Sequence, residues 1–251
     1  MSEVLSIDRT EHASVVRLTR EEKLNAISAD VERALCDVVD APEVREARCV
    51  IFTGSARAFS AGADRSEWRE DYSPEQIMAF YRGGGTGVFA DRVAGLPMPT
   101  LSAISGWCIG GGLELAVATD FRIAETNARF RLPETRLGIL PSWGGTQRIV
   151  RLLGTARAKE VILLREELDA EEALRLGLVT EVVGAGESLA RALELARYLG
   201  SLPSLAVSVT KQVIDALPET SSSAGLALER LAYGMLAQTG ESAEALREWS
   251  A

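Results

Sequence analysis

LSAISGWCIGGGLELAVATDFRIA, residues 101–124, carries a strand, a glycine-rich turn, a helix and a returning strand in one unbroken stretch. Residues 101–104 are a short apolar run of strand type. SGWCIGGG turns tightly into the helix LELAVAT, and residues 121–124 return as a further strand after Asp120. An α/β architecture follows from this unit, and the flanking chain extends it.

Upstream, residues 4–8, 14–19 and 49–53 carry the β-branched and aliphatic enrichment of strands. Between them Ser28 caps a helix through VERALCDVV, with Val31, Leu35 and Val38 at helical spacing and Pro42 just beyond. A second helix is expected from Pro74 toward Phe80, with a bend at Gly83-Gly84-Gly85 before GVFADRVAGL resumes helical character. From Gly144 onward the pattern is helical: TQRIVRLLG, RAKEVILL, AEEALRLG, a short strand EVVG, LARALELARYLGSL, PSLAVSVTKQVIDAL and GLALERLAYGMLAQ. The expected division is an α/β core over residues 1–195 and a helical C-terminal region over 196–251.

The chain has 251 residues, 47% hydrophobic and 25% charged, with 22 glycines and 8 prolines, which excludes disordered, collagenous and coiled-coil classes. A net charge of -9, from 27 Lys+Arg against 36 Asp+Glu, disfavours nucleic acid and anionic lipid as partners. Cys36, Cys49 and Cys108 form no CxxC pair and read as reduced core thiols. The N-terminus is acidic without an apolar leader, and no 18-residue uncharged apolar stretch occurs, so a soluble cytoplasmic protein with no membrane association is expected. The single histidine, His12, sits where a hairpin turn belongs and reads as a solvated turn residue. Setting it aside removes Ser-His-Asp, Cys-His and His-based zinc chemistry, and no metal site is expected.

Chemistry therefore falls to carboxylates, lysines, tyrosines, backbone amides or a bound cofactor. No GxGxxG follows a strand and no GxxxxGK[ST] occurs, so the phosphate-loop readings fail. Two other glycine-rich turns stand out: Ser60-Ala61-Gly62-Ala63-Asp64 after CVIFT, and Gly110-Gly111-Gly112 between strand and helix. Such turns expose N–H groups at a helix start and suit an oxyanion hole, though either alone is also ordinary turn geometry. Glu114 lies in a helix apolar on nearly every face, where a carboxylate needs a partner or a raised pKa; capping the helix's own first amides is the plainer alternative. Glu134, in RLPET, follows after a complete helix and strand, and spacing leaves open whether it returns beside Glu114 or stays on the surface. One basic and one protonated carboxyl flanking a carbon is the set that proton transfer beside a carbonyl requires.

At these residues the sequence resembles the crotonase, or enoyl-CoA hydratase/isomerase, superfamily. The stretches that carry the resemblance are EEKLNAI (21–27), CVIFTGSARAFSAGADRSEW (49–68), AISGWCIGGGLELAVATDFRIA (103–124), FRLPETRLGILPSWGGTQRIVRLLG (130–154) and DAEEALRLGLVTEVV (169–183). The resemblance implies a spiral of ββα units, a helical C-terminal trimerisation region, and a homotrimer or a hexamer built as a dimer of trimers. It implies an acyl-CoA thioester as substrate, so that coenzyme A arrives with the substrate and no separate cofactor is needed. The implied oxyanion hole is the N–H of Ala63 and that of Gly111. In the hydratase role Glu114 would deprotonate water for attack at C3 and Glu134 would protonate C2. The coenzyme would follow Lys23, Leu24 and Ala26, then the turn containing Ala61, Ala63, Asp64, Arg65 and Ser66, with pantetheine threading toward Gly111. Trp68, Trp107, Leu140 and Trp143 are candidates to shape the acyl pocket.

The sequence departs from that pattern at Glu21, where a proline is frequent, and at Ser142-Trp143, where Gly-Ala is common. It ends at LREWSA, short of the basic and aromatic tail many members carry, which leaves open the contacts such a tail makes. Hydration of a 2-enoyl-CoA is the leading expectation. An enoyl-CoA isomerase or another acyl-CoA lyase, and a non-catalytic acyl-CoA-binding subunit, are the alternatives.

Overall fold

The computed structural model describes residues 4–67, 73–75, 78 and 87–249. Trp68, the glycine run 83–85 and most of the helix expected after Pro74 lie outside the described residues. The strands are β1 (Leu5–Arg9), β2 (Ser14–Leu18), β3 (Val50–Thr53), β4 (Ala58–Ser60), β5 (Thr100–Ile104), β6 (Trp107–Ile109), β7 (Phe121–Glu125), β8 (Arg129–Arg131), β9 (Leu168–Asp169) and β10 (Glu181–Val183). The large sheet has the order β1-β2-β3-β5-β7-β10 and the small one β4-β6-β8-β9. In the large sheet only the β1–β2 hairpin is antiparallel, and in the small sheet only β8–β9.

Consecutive strands are dealt alternately to the two sheets: β3, β5 and β7 to the large one, β4, β6 and β8 to the small one. Each turn of chain thus lays down two strands and moves on, which is the spiral expected from the resemblance. Helices follow these turns: α1 (Ala29–Val38), α2 (Pro42–Arg45), α3 (Val88–Ala94), α4 (Gly111–Ala116), α5 (Gly145–Lys159) and α6 (Ala170–Leu176). The end of the chain is helical, with α7 (Ser188–Ser201), α8 (Ser204–Ala216), α9 (Ser222–Leu236) and α10 (Gly240–Trp249).

Strands β3 and β5 are buried at every residue, as parallel strands covered on both faces must be. Alternation then sorts their side chains. Val50, Phe52 and Ile104 join the main core with α1 and α4, whereas Ile51, Leu101 and Ala103 face Ala192 and Ala196 of α7. Small residues at 192, 196 and 200 let α7 lie close to the sheet. Its first turn is held by Glu125 at the end of β7, which accepts from Ser188 Oγ at 2.8 Å. Lys211 ties α8 down by donating to Asp120 Oδ2 at 2.7 Å and to the Met98 carbonyl at 3.1 Å.

Three expectations need correction. The stretch SGWCIGGG is not all turn, because Trp107–Ile109 forms β6 between β4 and β8. The small sheet goes unread in sequence because its strands are two or three residues long, too short to show a two-residue period. His12 does sit in the β1–β2 turn, but it is half-buried beside Gly200 of α7 rather than freely solvated. Helix α4 starts at Gly111 and stops at Ala116, so it is shorter than LELAVAT.

Candidate active site

Two turns meet at the ends of β4 and β6. Gly62 has φ +83°, and a Cβ there would lie 2.6 Å from the Ile109 carbonyl oxygen and 3.1 Å from the Gly111 nitrogen. A Cβ on Gly112 would fall 2.6 Å from the Ser60 carbonyl oxygen. Glycine is required on both sides because the two backbones touch. Ile27 bridges this region: its N–H donates to Gly62 O at 2.8 Å and its carbonyl accepts from Asp64 N–H at 2.9 Å. In that parallel bridge the N–H of Ala63 points to the opposite side. Gly111 opens α4, where an N–H has no partner inside the helix.

Residues 23–26 are stitched to the first of these turns. Leu24 and Asn25 both adopt left-handed backbone, with φ of 51° and 54°, a strain of about 1–3 kcal/mol per residue that persists only where the surroundings impose it. Here they do. Asn25 is fully buried and its Nδ2 donates to Ala58 O at 2.9 Å, while Ser60 Oγ donates to Asn25 O at 2.8 Å. Ala61 N–H donates to Leu24 O at 2.9 Å. Arg20 closes the unit, donating to Ala26 O at 2.7 Å and to Asp64 Oδ2 at 3.0 Å. Asp64 also accepts from Ser66 N–H and Oγ, and these donors with Arg20 hold its carboxyl below the usual range despite burial. Lys23, Arg65 and Ser66 are exposed, Leu24, Ala61 and Ala63 half-buried, and Ala26 buried. Sequence reading singled out neither Asn25 nor Arg20; the left-handed tolerance of asparagine was the one available signal.

Glu114 and Glu134 come to the same place. Glu114 is 3% exposed on α4, and its Oε1 accepts from Trp143 N–H at 2.7 Å and Gly145 N–H at 2.9 Å. No donor among the described residues reaches its Oε2. The plainer capping role is thus replaced by contacts to a distant turn, the start of α5. Glycine at 145 leaves space for this carboxylate, since a Cβ there would lie 2.6 Å from Glu114 Oε1. Arg148 Nη1 donates to Trp143 O at 3.0 Å and fixes the turn from behind.

Glu134 begins a 3₁₀ turn, Glu134–Leu137, after β8. Its Oε1 lies 2.6 Å from where a Cβ on Gly110 would be, so the carboxylate rests against the turn that opens α4. Its Oε2 is buried with no hydrogen-bond partner among the described residues. Gly110 itself donates to Arg131 O and accepts from Glu114 N–H, both at 2.9 Å, linking the segments that bear the two carboxylates. Burial raises the Glu134 pKa. Burial also pushes Glu114 up to about 7, the Glu134 charge adding to the rise while the Gly145 and Trp143 amides and Arg148 oppose it. Two carboxyls whose pKa burial raises, Glu114 to about 7, beside outward amides, can exchange protons with a bound carbonyl compound.

Of the aromatic and aliphatic candidates, Trp107 is 36% and Leu140 59% exposed, whereas Trp143 lies against Gly111. A hollow of about 320 Å³ among the C-terminal helices, lined by Pro203, Leu236 and Trp249, holds one carboxylate, Glu241. That group already accepts from Ser204 Oγ and Leu205 N–H. Among the described residues no group of three or more His, Cys, Asp and Glu is arranged to hold a metal, and no helix is long and apolar enough to cross a membrane.

Residues 8–249 match the family described as Enoyl-CoA hydratase/isomerase. A short-chain-enoyl-CoA hydratase of Clostridium acetobutylicum is 35% identical over 96% of this chain and 92% of its own length. Among solved structures, the enoyl-CoA hydratase of Bacillus anthracis superposes with a TM-score of 0.90 at 35% identity, covering 98% of this chain and 96% of that one. A Thermobifida fusca chain solved in complex with CoA superposes with a TM-score of 0.86 at 25% identity, covering 97% and 95%.

Proposed function

The chain belongs to the enoyl-CoA hydratase/isomerase family, and from that premise we propose that it adds water across the 2,3 double bond of a 2-enoyl-CoA thioester. The observation that carries this reading is the approach of a buried glutamate, Glu114, and a half-buried one, Glu134, at the start of α4, with an oxygen of each left without a donor among the described residues.

In this mechanism the thioester oxygen accepts from the N–H of Ala63 and of Gly111. As C3 is attacked, charge moves onto that oxygen, and each such donor is worth about 3–4 kcal/mol in the transition state. The positive end of α4 adds to it. Glu114, ionised, takes a proton from water through Oε2, and the hydroxide oxygen bonds to C3. Glu134, protonated, delivers its proton to C2, so that water has been added and the carboxyls have exchanged roles. A solvent proton exchange restores them. Burial raises both carboxyls and the Glu134 charge raises Glu114 further, so the reacting arrangement of the pair carries one proton, on Glu134. That is one acid and one base, as the reaction needs.

The coenzyme is bound as part of the substrate along the stitched turns, with Lys23, Leu24 and Ala26 on one side and Ala61 to Ser66 on the other. The assembly proposed is a homotrimer or a dimer of trimers, which would cover apolar side chains that the C-terminal helices leave exposed, Leu231, Tyr233, Leu246 and Trp249 among them. Cytoplasmic placement belongs to the same proposal.

The test is turnover of four-carbon 2-enoyl-CoA and 3-enoyl-CoA with product identification. Formation of 3-hydroxyacyl-CoA supports hydration. Double-bond migration alone would assign an isomerase, and acyl-CoA binding without any product would assign a non-catalytic binding subunit.

A further inference from the structure

The geometry points to Trp143 as the end wall of the acyl site, restricting the substrate to short, unbranched acyl groups of about four carbons. This rests on the acyl-CoA reading above and deepens it by naming the substrate class.

Two glycines from different elements receive the indole. A Cβ on Gly111 would lie 1.9 Å from Trp143 Cζ3 and 2.3 Å from Cε3, so the six-membered ring sits on the Gly111 Cα. At the other end of the side chain, a Cβ on Gly87 would lie 2.3 Å from Trp143 Cδ1. Gly87 has φ +91° and precedes α3, whose Phe89 meets the indole edge-on with centroids 5.4 Å apart and planes at 77°. The ring is thus clamped between the starts of α3 and α4, in contact with a glycine of each. These contacts restrict the rotamers of the half-buried side chain, and the ring can swing aside only by giving up both glycine seats.

Its backbone fixes where this wall stands. The Trp143 N–H donates to Glu114 Oε1, so the residue whose ring covers Gly111 also holds the carboxylate assigned to water. A thioester oxygen at the Gly111 N–H, with C2 and C3 facing the two glutamates, directs C4 toward the indole. Further methylenes would have to occupy volume the ring already fills, and a close-packed wall rejects them sterically rather than by lost affinity.

The test compares wild type with Trp143→Ala and Trp143→Leu, using kcat/KM for crotonyl-CoA and for trans-2-octenoyl-CoA. Calorimetric binding of the unreactive butyryl- and octanoyl-CoA runs alongside. The expected wild-type preference for four over eight carbons is at least roughly 100-fold, falling at least roughly 10-fold in each folded variant, with octanoyl-CoA binding tightened. Equal use of both lengths by wild type, or an unchanged ratio in a folded variant, would overturn the proposal. If neither variant folds, the wild-type ratio decides. A wild type that binds butyryl-CoA in preference to octanoyl-CoA but hydrates neither enoyl thioester would sink the hydratase reading and sustain the length wall. Absence of any acyl-CoA binding would overturn both.

Discussion

Glu114 and Glu125 are equally screened from solvent, 3% and 5% exposed, and their carboxyls are driven in opposite directions. At Glu125 burial raises the pKa, but the Gly186 amide and the Ser105 and Ser188 hydroxyls outweigh it and hold the carboxyl below its usual range. Donors reach both oxygens, Ser105 Oγ at Oε2 and Ser188 Oγ at Oε1, each at 2.8 Å. At Glu114 both described donors fall on Oε1, a second glutamate stands nearby, and burial prevails, bringing the group to about 7. Exposure does not separate the two residues; the protein packed more densely around the Glu114 carboxyl and the service of each oxygen do. Glu125 is a fixed negative charge at the start of α7, while Glu114 can change protonation near neutral pH and the Glu134 carboxyl is raised in the same direction.

Removing the acid side chain sharpens that contrast most. Glu134→Gln is expected to lower kcat for hydration by about 10²–10⁴-fold with little change in KM or melting temperature, as steady-state kinetics and calorimetry would record. A variant that turns over like wild type would place Glu134 outside the chemistry.

The structural glutamate should answer in the other currency. Glu125→Ala leaves the Ser188 hydroxyl and the Gly186 amide without their acceptor and removes one of the two acceptors of Ser105 Oγ; it is expected to cost about 3 kcal/mol of unfolding free energy, with kcat/KM of the folded fraction within about 2-fold of wild type. Because its folded pKa is depressed, the wild-type contribution is present above the unfolded value near 4.5 and is lost as pH falls through the folded value. Urea melts at pH 3 and pH 7 would show a larger wild-type advantage at the higher pH.

Glu114→Gln should show the opposite slope. Between the unfolded pKa near 4.5 and the folded value of about 7, the native state keeps a proton that the unfolded chain has released, so wild-type stability falls as pH rises across that window. The glutamine variant lacks this loss and is expected to gain about 2–3 kcal/mol on wild type between pH 4 and pH 8, while activity collapses. Equal pH slopes for the two proteins would contradict the raised carboxyl. The smallest effect belongs to a solvated pair: Arg33→Ala, which removes the exposed contact with Asp30, should change stability by no more than about 0.5 kcal/mol.

Much of this contrast was legible in the amino-acid sequence on one side only. A glutamate inside GGGLELAVA announces itself because every neighbour is apolar, and the two glycine turns declare exposed amides at strand ends. Glu125 gives no such sign, since its three donors come from residues 105, 186 and 188, which only the closed spiral gathers. Asn25 and Arg20 escape notice for the same reason: their partners, Ala58, Ser60 and Asp64, are distant in the chain. The small sheet is invisible because three-residue strands carry no period, although two of them, β4 and β6, set the two glycine-rich turns side by side. Trp143 read as a departure from the usual Gly-Ala pair, but its seat on Gly111 needed coordinates.

The most direct test of the claim that one carboxyl of the pair protonates the carbon beside the thioester is hydration of crotonyl-CoA in deuterium oxide, followed by mass spectrometry and NMR of the product. Wild type is predicted to yield 3-hydroxybutyryl-CoA with a single deuterium at C2, and Glu134→Gln to yield neither hydroxyl nor label at a comparable rate. Product formed by the Glu134→Gln variant as fast as by wild type, or no labelled product from wild type, would contradict it.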